Sequence, residues 1–273
     1  MVVKKRVVRK GRRNKIRILA IGDPHGDLEK IKKIPVENVD LILIPGDLSK
    51  ADIARKINFG RINGKESSDA LKRKAFMEIY KSTFAVLRYL GKKAPVYYIW
   101  GDFDYSDKAV KKGIKDFGSS LPFFSKEFKK IDNVRAIRDK KVRFRGLSIG
   151  GLERFEDVNW VRDFRPDEFD KRMKVARKET KRAKKILGKF GKVDILLCHQ
   201  PPFEVLDKVS NPVAPKRWNG KNAGSELILD YVKKKKPKYV FCGHIHEGKG
   251  MKKVGKTVVF NLGCCGWKVV EIE

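Results

Sequence analysis

The sequence predicts an α/β fold, in which strands and helices alternate along the chain. Continuous apolar runs such as "LILIP" at 41–45 and "VDILLC" at 193–198 are typical of strands that are covered on both faces. Amphipathic helical patterns lie between the strands, most clearly over 69–90, 168–188 and 222–235. The chain has 273 residues, of which 41% are hydrophobic, so it is long enough to bury a large core.

The predicted strands are short runs rich in β-branched and aromatic residues. In chain order they cover 16–22, 41–45, 96–100, 142–150, 193–198, 238–242 and 257–261. The helical pattern at 168–188 has one small or apolar face, made by Met173, Ala176, Thr180, Ala183 and Leu187. Its other faces are almost entirely basic, which predicts either a solvated helix or a surface that faces a polyanion.

The first fifteen residues, "MVVKKRVVRKGRRNK", contain eight Lys or Arg and no acidic residue. We therefore predict a basic arm over 1–15 and a single domain over 16–273, although the alternation in "VVKKRVV" also fits a short edge strand. The arm has no apolar segment after its charges, so it does not resemble a secretory signal. No apolar run is long enough for a membrane span.

The charge is strongly unbalanced, because 65 Lys and Arg stand against 33 Asp and Glu, a net charge of +32. Such a surplus attracts nucleic acid, anionic lipid or a phosphorylated substrate. The same composition is also typical of heat-adapted or salt-adapted proteins, and both interpretations stay open. The four cysteines form no C-x-x-C pair, which favours reduced thiols and a cytoplasmic location.

Several predicted strands end in a glycine that is followed at once by a carboxylate or a histidine. Gly22, Gly46, Gly101 and Gly243 precede Asp23, Asp47, Asp102 and His244, and the loops also contain His25, His199 and His246. A single Gly-Asp is an ordinary turn signal, but ligands meet at the carboxyl ends of strands in open α/β sheets. We expect the glycines to allow tight turns that bring the backbone close to a site.

These seven side chains predict a metal centre. The chain has only four histidines, and all of them stand in these loops. The D-x-H and H-x-H spacings each let two side chains of one loop hold one ion. Seven groups suit two ions, and mixed imidazole and carboxylate ligands favour Mn, Fe, Zn, Ni or Co over Ca or Cu(I). Asp47, on a central strand, is the natural bridge between two ions.

The ordered set D-x-H-G, G-D, G-D-x-D, H-x-P-P and G-H-I-H resembles the calcineurin-like metallophosphoesterase superfamily from Ile16 onward. The stretches "LLCHQPPFEVLD" and "NAGSELILDYV" are similar to the small Icc-related phosphoesterases and to metallophosphoesterase-domain proteins. The resemblance implies a four-layer α/β/β/α sandwich with a dinuclear metal site. The first ion would be held by Asp23, His25 and His246. The second ion would be held by Asp102, His199 and His244. Asp47 would bridge the two ions.

The implied activity is a phosphoesterase in which a hydroxide that bridges two divalent ions attacks phosphorus. A phosphodiester substrate is favoured, because a diester carries less negative charge than a monoester into a site with three carboxylates. The basic arm extends the prediction to nucleic acid as a substrate or partner. The alternative is a weak or inactive module that keeps the fold and binds a partner, in some cases nucleic acid.

Two positions depart from the family pattern. The family usually has a neutral Asn where this chain has Asp102, and often a His where this chain has Phe103. Without that histidine, protonation of the leaving group falls to metal-bound water, to Asp104 or to nothing. The predicted catalytic carboxylates are Asp47, Asp102 and Asp104. The extra charge of Asp102 predicts a second metal ion that binds more tightly or is trivalent, and slow turnover at neutral pH, with the rising limb of the pH–rate profile shifted upward. The alternative is that Asp102 is protonated or turned away and that the site holds one ion.

Overall fold

A computed structural model describes residues 15–118, 121–212 and 214–273. The predicted basic arm, apart from Lys15, lies outside the described residues. The strands are β1 (Ile16–Ile21), β2 (Leu41–Ile44), β3 (Val96–Tyr98), β4 (Val134–Ala136), β5 (Lys140–Phe144), β6 (Leu147–Leu152), β7 (Ile195–Cys198), β8 (Tyr239–Cys242), β9 (Gly250–Val254), β10 (Thr257–Asn261) and β11 (Trp267–Ile272). The helices are α1 (Leu28–Lys32), α2 (Asp52–Ile62), α3 (Asp69–Gly91), α4 (Asp107–Phe117), α5 (Phe124–Phe128), α6 (Val158–Phe164), α7 (Phe169–Phe190) and α8 (Glu226–Lys235).

The strands form two mixed sheets. The first has five strands in the order β11-β1-β2-β3-β4, and the second has six in the order β5-β6-β7-β8-β10-β9. The inner strands of each sheet pair in parallel, while β11, β5 and β9 are antiparallel edge strands. The carboxyl ends of the parallel strands therefore lie together at one edge of each sheet.

The side chains of β1 show how the sheets stack. Ile18 and Ala20 pack into a core between the two sheets, whereas Leu19 and Ile21 face a second core under helices. This alternation is expected, because successive side chains of a strand point to opposite faces. Helices α1, α3, α4 and α5 cover the first sheet, and α7 and α8 cover the second. The four-layer α/β/β/α sandwich implied by the resemblance is thus confirmed.

The predicted helices are present, with corrected ends. The pattern at 69–90 forms α3, which begins after Ser68, whose Oγ accepts a hydrogen bond from the Leu71 N–H. The pattern at 168–188 forms α7, and its predicted inner face packs on the second sheet. The prediction of a helix from residue 222 is wrong at its start, because Ser225 is the N-cap of α8. No helix of the described residues is long and apolar enough to cross a membrane.

The single strand predicted at 142–150 is wrong. The segment is a hairpin in which β5 pairs antiparallel with β6, and Phe144 lies opposite Leu147. Arg145 and Gly146 form its two-residue loop with φ values of 45° and 88°. Positive φ at both loop positions is the geometry that matches the twist of a two-residue hairpin. The sequence signal was weak because arginine, unlike asparagine or aspartate, is rare at such a position.

Candidate metal centre

The seven predicted ligands meet where the loops that follow β1, β2, β3, β7 and β8 converge. Among the described residues the potential ligand atoms form three groups, and the atoms of each group lie within 4.8 Å of one another. These groups are His25, His246 and Cys264; Asp102, His199 and His244; and Asp23, His25 and Asp47. Cys264 is the one member that the sequence motifs did not indicate.

The first side of the centre is built from the loop after β1 and the end of the loop after β8. The Nε2 atoms of His25 and His246 lie 3.1 Å apart, and Nε2 of His246 lies 3.2 Å from Oδ2 of Asp23. Asp23 is completely buried, and its Oδ2 accepts a hydrogen bond of 2.6 Å from the His244 N–H. The carboxylate is therefore fixed by the backbone of a loop from the other sheet.

The second side joins Asp102, after β3, to His199 and His244. Oδ2 of Asp102 lies 2.7 Å from Nδ1 of His244 and 3.5 Å from Nε2 of His199. Nδ1 of His199 donates to the Pro45 carbonyl at 3.1 Å, which directs Nε2 into the centre. The two histidines of H-x-H thus belong to different groups of potential ligands, His244 with Asp102 and His199, and His246 with His25.

Asp47 lies between the two sides. Its Oδ2 is 3.9 Å from Nε2 of His25 and 3.7 Å from Nε2 of His199. Its Oδ1 accepts a hydrogen bond of 3.0 Å from the Phe103 N–H, so the carboxylate is held in place from the loop after β3. One oxygen of Asp47 therefore faces both histidine groups.

The backbone around the centre is strained where the ligands themselves sit. Asp23, His25, Asp47 and His244 all have positive φ, between 23° and 67°. Non-glycine residues rarely adopt this conformation, and where they do they cluster at functional sites. We expected the preceding glycines to form the tight turns, but in most of these loops the potential ligands themselves adopt the positive φ.

The glycines serve close packing instead. A Cβ at Gly101 would lie 2.3 Å from Oδ1 of Asp47, and one at Gly243 would lie 2.1 Å from Oδ1 of Asp23. Both distances are impossible for real atoms. Alanine at either position would displace a carboxylate of the centre, which explains why a glycine stands before the potential ligand.

The charges of the centre are strongly coupled. Burial opposes ionisation of Asp23, but the hydrogen bond with His246 and the charges of the histidines lower its pKa to about 2. Burial disfavours protonation of His199, but the charges of Asp47, Asp23 and Asp102 outweigh it and raise its pKa to about 10. The centre attracts positive charge, and bound cations would take the place of these protons.

Two buried polar atoms of the centre have no hydrogen-bond partner among the described residues. They are Oδ1 of Asp23 and Nε2 of His199. Unpaired buried polar atoms are rare because leaving one unsatisfied costs about 1–3 kcal/mol. A metal ion would satisfy both, and imidazole and carboxylate are donors that divalent transition metals accept. The residues present therefore fit a divalent metal centre.

A salt bridge that the sequence did not indicate neutralises Asp102. The Nε atom of Arg154, after β6, contacts Oδ1 of Asp102. Burial opposes ionisation of Asp102, but Arg154 and His244 hold its pKa well below the ordinary value. Nothing in the sequence spacing marks Arg154, because it comes from the other sheet and stands more than fifty residues away.

Asp104 belongs to none of the groups of potential ligands and is bound instead to the loops beside them. Its Oδ1 accepts hydrogen bonds from the Leu48 N–H at 2.9 Å and the Ser49 hydroxyl at 3.0 Å, and its Oδ2 accepts from the Gly101 N–H at 2.9 Å. Burial and the charge of Asp47 raise its pKa to about 7. These contacts tie the loop after β2 to the loop after β3.

A cavity of about 470 Å³ opens onto the centre. Arg55 of α2 lies in its wall, with Nη2 3.1 Å from Nε2 of His25 and its guanidinium over the Phe103 ring at 5.6 Å. Trp160 lies against the ring of His244, with 5.6 Å between centroids. The rest of the wall includes Phe59, Tyr105, Arg165 and Trp218. The cavity thus combines guanidinium groups with aromatic faces beside the ligands.

Known proteins that are similar to this chain in sequence or in fold indicate its family. Two UPF0046 proteins of Caenorhabditis elegans are 25% and 24% identical to this chain over 267 residues. The alignments cover 92% and 94% of this chain, but only 56% of the first relative and 78% of the second. A solved crystal structure is similar in fold, with a TM-score of 0.64 at 18% identity over 94% of this chain and 95% of that chain.

The family model described as calcineurin-like phosphoesterase matches residues 16–248, a range that contains all seven predicted ligands. The described fold and the resemblance of the motifs agree with that match. The chain belongs to the calcineurin-like phosphoesterase family.

Proposed function

We propose that the protein is a phosphodiesterase that uses two divalent metal ions. The observation that supports this most directly is the position of Asp47, whose Oδ2 lies within 3.9 Å of a histidine from each side of the centre. Two-metal phosphoryl sites place their ions about 3.5–4 Å apart, and a carboxylate oxygen that faces both histidine groups is suited to contact both ions. Asp23, His25 and His246 would hold one ion, and Asp102, His199 and His244 the other, with Asp47 shared.

The ions, when bound, would supply Lewis acidity that polarises a phosphoryl oxygen and makes water more acidic. The protein positions this chemistry through contacts to its ligands. Pro45 orients His199, the Phe103 N–H holds Asp47, and the His244 N–H holds Asp23. Ligands fixed in this way need little reorganisation during the reaction.

Arg55 and the aromatic wall are the groups that would bind the rest of the substrate. A guanidinium near the ligands can pair with a phosphoryl oxygen, and Phe103 and Trp160 offer flat surfaces to an ester group. A phosphodiester fits better than a monoester, since a single negative charge meets three carboxylates. An aromatic ester group, such as an aryl group or a nucleobase, suits the wall.

The leaving group has no dedicated acid in this proposal. Phe103 stands where many relatives have a histidine, and both oxygens of Asp104 accept backbone hydrogen bonds. We therefore assign Asp104 a positioning role in place of the catalytic role predicted from the sequence. Diesters with good leaving groups should react best, because they need little protonation.

The test compares hydrolysis of bis-p-nitrophenyl phosphate and p-nitrophenyl phosphate by metal-loaded and metal-stripped protein, together with metal content. We expect bound transition metal, activity that returns with Mn²⁺, and faster turnover of the diester. Asp47→Ala should lower turnover by on the order of a thousandfold or more, because it removes a ligand shared by both ions. Asp230→Ala, an exposed change on α8, is the matched control.

The alternative is a binding module without activity. Relatives that lose catalysis lose ligands, whereas every ligand position here carries a competent side chain. Protein that binds no transition metal, or an Asp47→Ala variant with wild-type turnover, would overturn the proposed function.

The four cysteines are all free thiols, which supports the cytoplasmic location that we infer for the protein.

A further inference from the structure

A cysteine stands beside the first side of the metal centre. Cys264 lies in the loop between β10 and β11, and its Sγ is within 4.8 Å of ring nitrogens of both His25 and His246. Its residue is exposed to solvent, unlike Cys198 and Cys242, which are buried in strands. The thiol therefore has two potential ligand partners and an open route to them.

The loop that carries Cys264 is tied to both segments that supply the histidines. On one side, the Cys265 N–H donates to the Asp23 carbonyl at 3.2 Å, and the Gly22 N–H donates to the Gly266 carbonyl at 2.8 Å. These bonds join it to the loop that contains His25.

On the other side, Nδ2 of Asn261 donates to the Ile245 carbonyl at 2.8 Å, next to His246. Oδ1 of Asn261 accepts from the Gly263 N–H at 3.0 Å. Cys264 is thus held near the histidines from both directions, and its position does not depend on a long flexible side chain.

The neighbouring cysteine contacts the Cys264 thiol and also has a backbone partner of its own. Cys265 has a positive φ of 51°, and its Sγ donates to the Pro24 carbonyl at 3.3 Å while the side chain packs at the edge of a hydrophobic core. Two adjacent thiols therefore have different surroundings. Because the two thiols interact, the control for Cys264 is Cys265→Ser, which keeps a hydroxyl donor at position 265.

The ligands on this side would also include a carboxylate with one oxygen left unpaired by the described residues. Asp23 is buried, its Oδ2 lies 3.2 Å from His246, and its Oδ1 has no hydrogen-bond partner among the described residues. An ion in the group that contains Cys264 would find two imidazole nitrogens and a sulfur, and one of those imidazoles, His246, also contacts the Asp23 carboxylate. A thiol that binds a metal does so as the thiolate and releases its proton to solvent.

We propose that Cys264 is a thiolate ligand of the ion held by His25 and His246. Sulfur is a soft donor, so this ligand favours Zn²⁺, Co²⁺ or Fe²⁺ over Mn²⁺ and Mg²⁺ at the first position. The two positions of the centre would then differ in metal preference, since the second has no sulfur within its group. This inference rests on the proposed function only in requiring that a metal binds.

The experiment loads the full chain with Co²⁺ under a non-thiol reductant and records its absorption spectrum. A cobalt–thiolate bond gives a charge-transfer band in the near ultraviolet, separate from the weak visible bands of cobalt in any tetrahedral or five-coordinate site. We expect this band in the wild-type protein and in Cys265→Ser, and its loss in Cys264→Ser. No substrate is needed, so turnover does not enter the readout.

A second measurement compares Zn²⁺ and Mn²⁺ affinities of the same proteins. Loss of a residue that supports a metal ligand typically lowers metal affinity roughly 10–100-fold. Cys264→Ser removes a ligand, so it should lower the Zn²⁺ affinity by at least this factor and change the Mn²⁺ affinity much less. Bound Co²⁺ without the charge-transfer band, or a band that survives in Cys264→Ser, would overturn the Cys264 assignment and leave the metal centre standing. Absence of Co²⁺ binding at the histidines would overturn both this inference and the proposed function.

Discussion

The salt bridge between Arg154 and Asp102 changes the net charge that the aspartate at position 102 brings to the metal centre. From the sequence alone, an aspartate in place of the usual asparagine adds a negative charge that weakens the action of the ions on water. The structure supplies a positive charge against the same carboxylate. Together the pair is neutral, as an asparagine would be, so the slow neutral-pH turnover predicted from Asp102 alone no longer follows.

A double-mutant cycle tests this compensation. Arg154→Gln should tighten metal binding and move the rising limb of the pH–rate profile upward, by on the order of one pH unit, because a carboxylate loses its counter-charge. Asp102→Asn should weaken metal binding and move the limb downward. The double variant, which removes both charges, should return close to the wild-type profile.

The cycle has a clear contrary result. If the limb of the double variant stays shifted as far from the wild-type position as that of either single variant, the two side chains do not compensate each other. Arg135→Gln, a change of the same charge on β4 of the other sheet, controls for the loss of one positive charge from the whole protein.

Asp104 supports a second prediction at the same scale. Asp104→Asn would turn an amide N–H₂ toward backbone N–H groups that now donate to a carboxylate oxygen, and should destabilise the fold by about 1–3 kcal/mol. As a positioning residue, it should lower the turnover of bis-p-nitrophenyl phosphate and of diphenyl phosphate by the same factor. Kinetics on both substrates, with urea unfolding, provide the measurement.

A general acid would behave differently. Removing it should cost on the order of 10²–10⁴-fold with the poor leaving group of diphenyl phosphate and much less with p-nitrophenolate. A large difference between the two substrates in Asp104→Asn would restore Asp104 to the catalytic role predicted from the sequence.

At the scale of elements, the sequence predicted those parts whose signal is local. The long amphipathic α3 and α7 and the apolar strands β1, β2, β7 and β8 follow from periodicity and were recognised. Edge strands and short elements were missed, including α2 and β9, because they bury little and their pattern is weak. The hairpin of β5 and β6 was missed because its loop lacks the usual turn residues.

The same division holds for the centre. Its seven predicted ligands follow strands, so topology brings them together, and a sequence motif can mark them. Arg55, Arg154 and Cys264 reach the centre from α2, from the loop after β6 and from the loop after β10. Their positions depend on how the two sheets stack and how loops are tied, and no spacing in the chain records those contacts.

Helix α7 carries a basic stripe opposite its buried face. Its inner residues include Ala176, Ala183 and Leu187, while Lys174, Lys178, Lys181 and Lys185 are exposed and lie along one line about 16 Å long. None of these lysines forms an ion pair within the described residues. If nucleic acid binds the protein, this stripe is where the described surface best follows a line of phosphates.

Replacing these four lysines of α7 by glutamine should therefore weaken binding to duplex DNA most at low salt. If all four contact phosphates, the slope of log affinity against log salt should fall by about 3–4. The matched control replaces Lys92, Lys115, Lys126 and Lys129, which are exposed on the opposite outer layer, by glutamine. Equal salt slopes in the two variants would identify α7 as a solvated helix and leave the basic arm at 1–15 as the candidate contact.

At the scale of the whole molecule, the metal centre joins the two sheets. Asp23, Asp47 and Asp102 come from the first sheet, and His199, His244 and His246 come from the second. Ions that bind these groups bind the folded protein and have no preformed site in the unfolded chain. Metal binding is therefore expected to stabilise the stacking of the two sheets, and removing the metal to destabilise the whole fold.

Chelation should lower the melting temperature of metal-loaded protein. A site held at a hundred times its Kd contributes about 2.7 kcal/mol, which corresponds to a decrease on the order of 5–10 °C in a domain of this size. Calorimetry of loaded and chelated protein measures the difference. Asp47→Ala is the matched variant, and it should lose most of its sensitivity to the chelator.

The difference between loaded and chelated protein should also widen with pH. In the chelated protein, the pKa of His199 is raised from 6.5 to about 10, so its charged form adds stability that is complete below pH 6.5 and is lost as the pH rises through about 10. In the loaded protein His199 would be neutral and bound to the ion, so this loss does not occur, and competition from protons decreases as the pH rises. The two melting temperatures should thus lie closer together at pH 6.5 than at pH 9. A difference that stays constant over this range, or that persists in Asp47→Ala, would show that the chelator acts at some other site than the one between the two sheets.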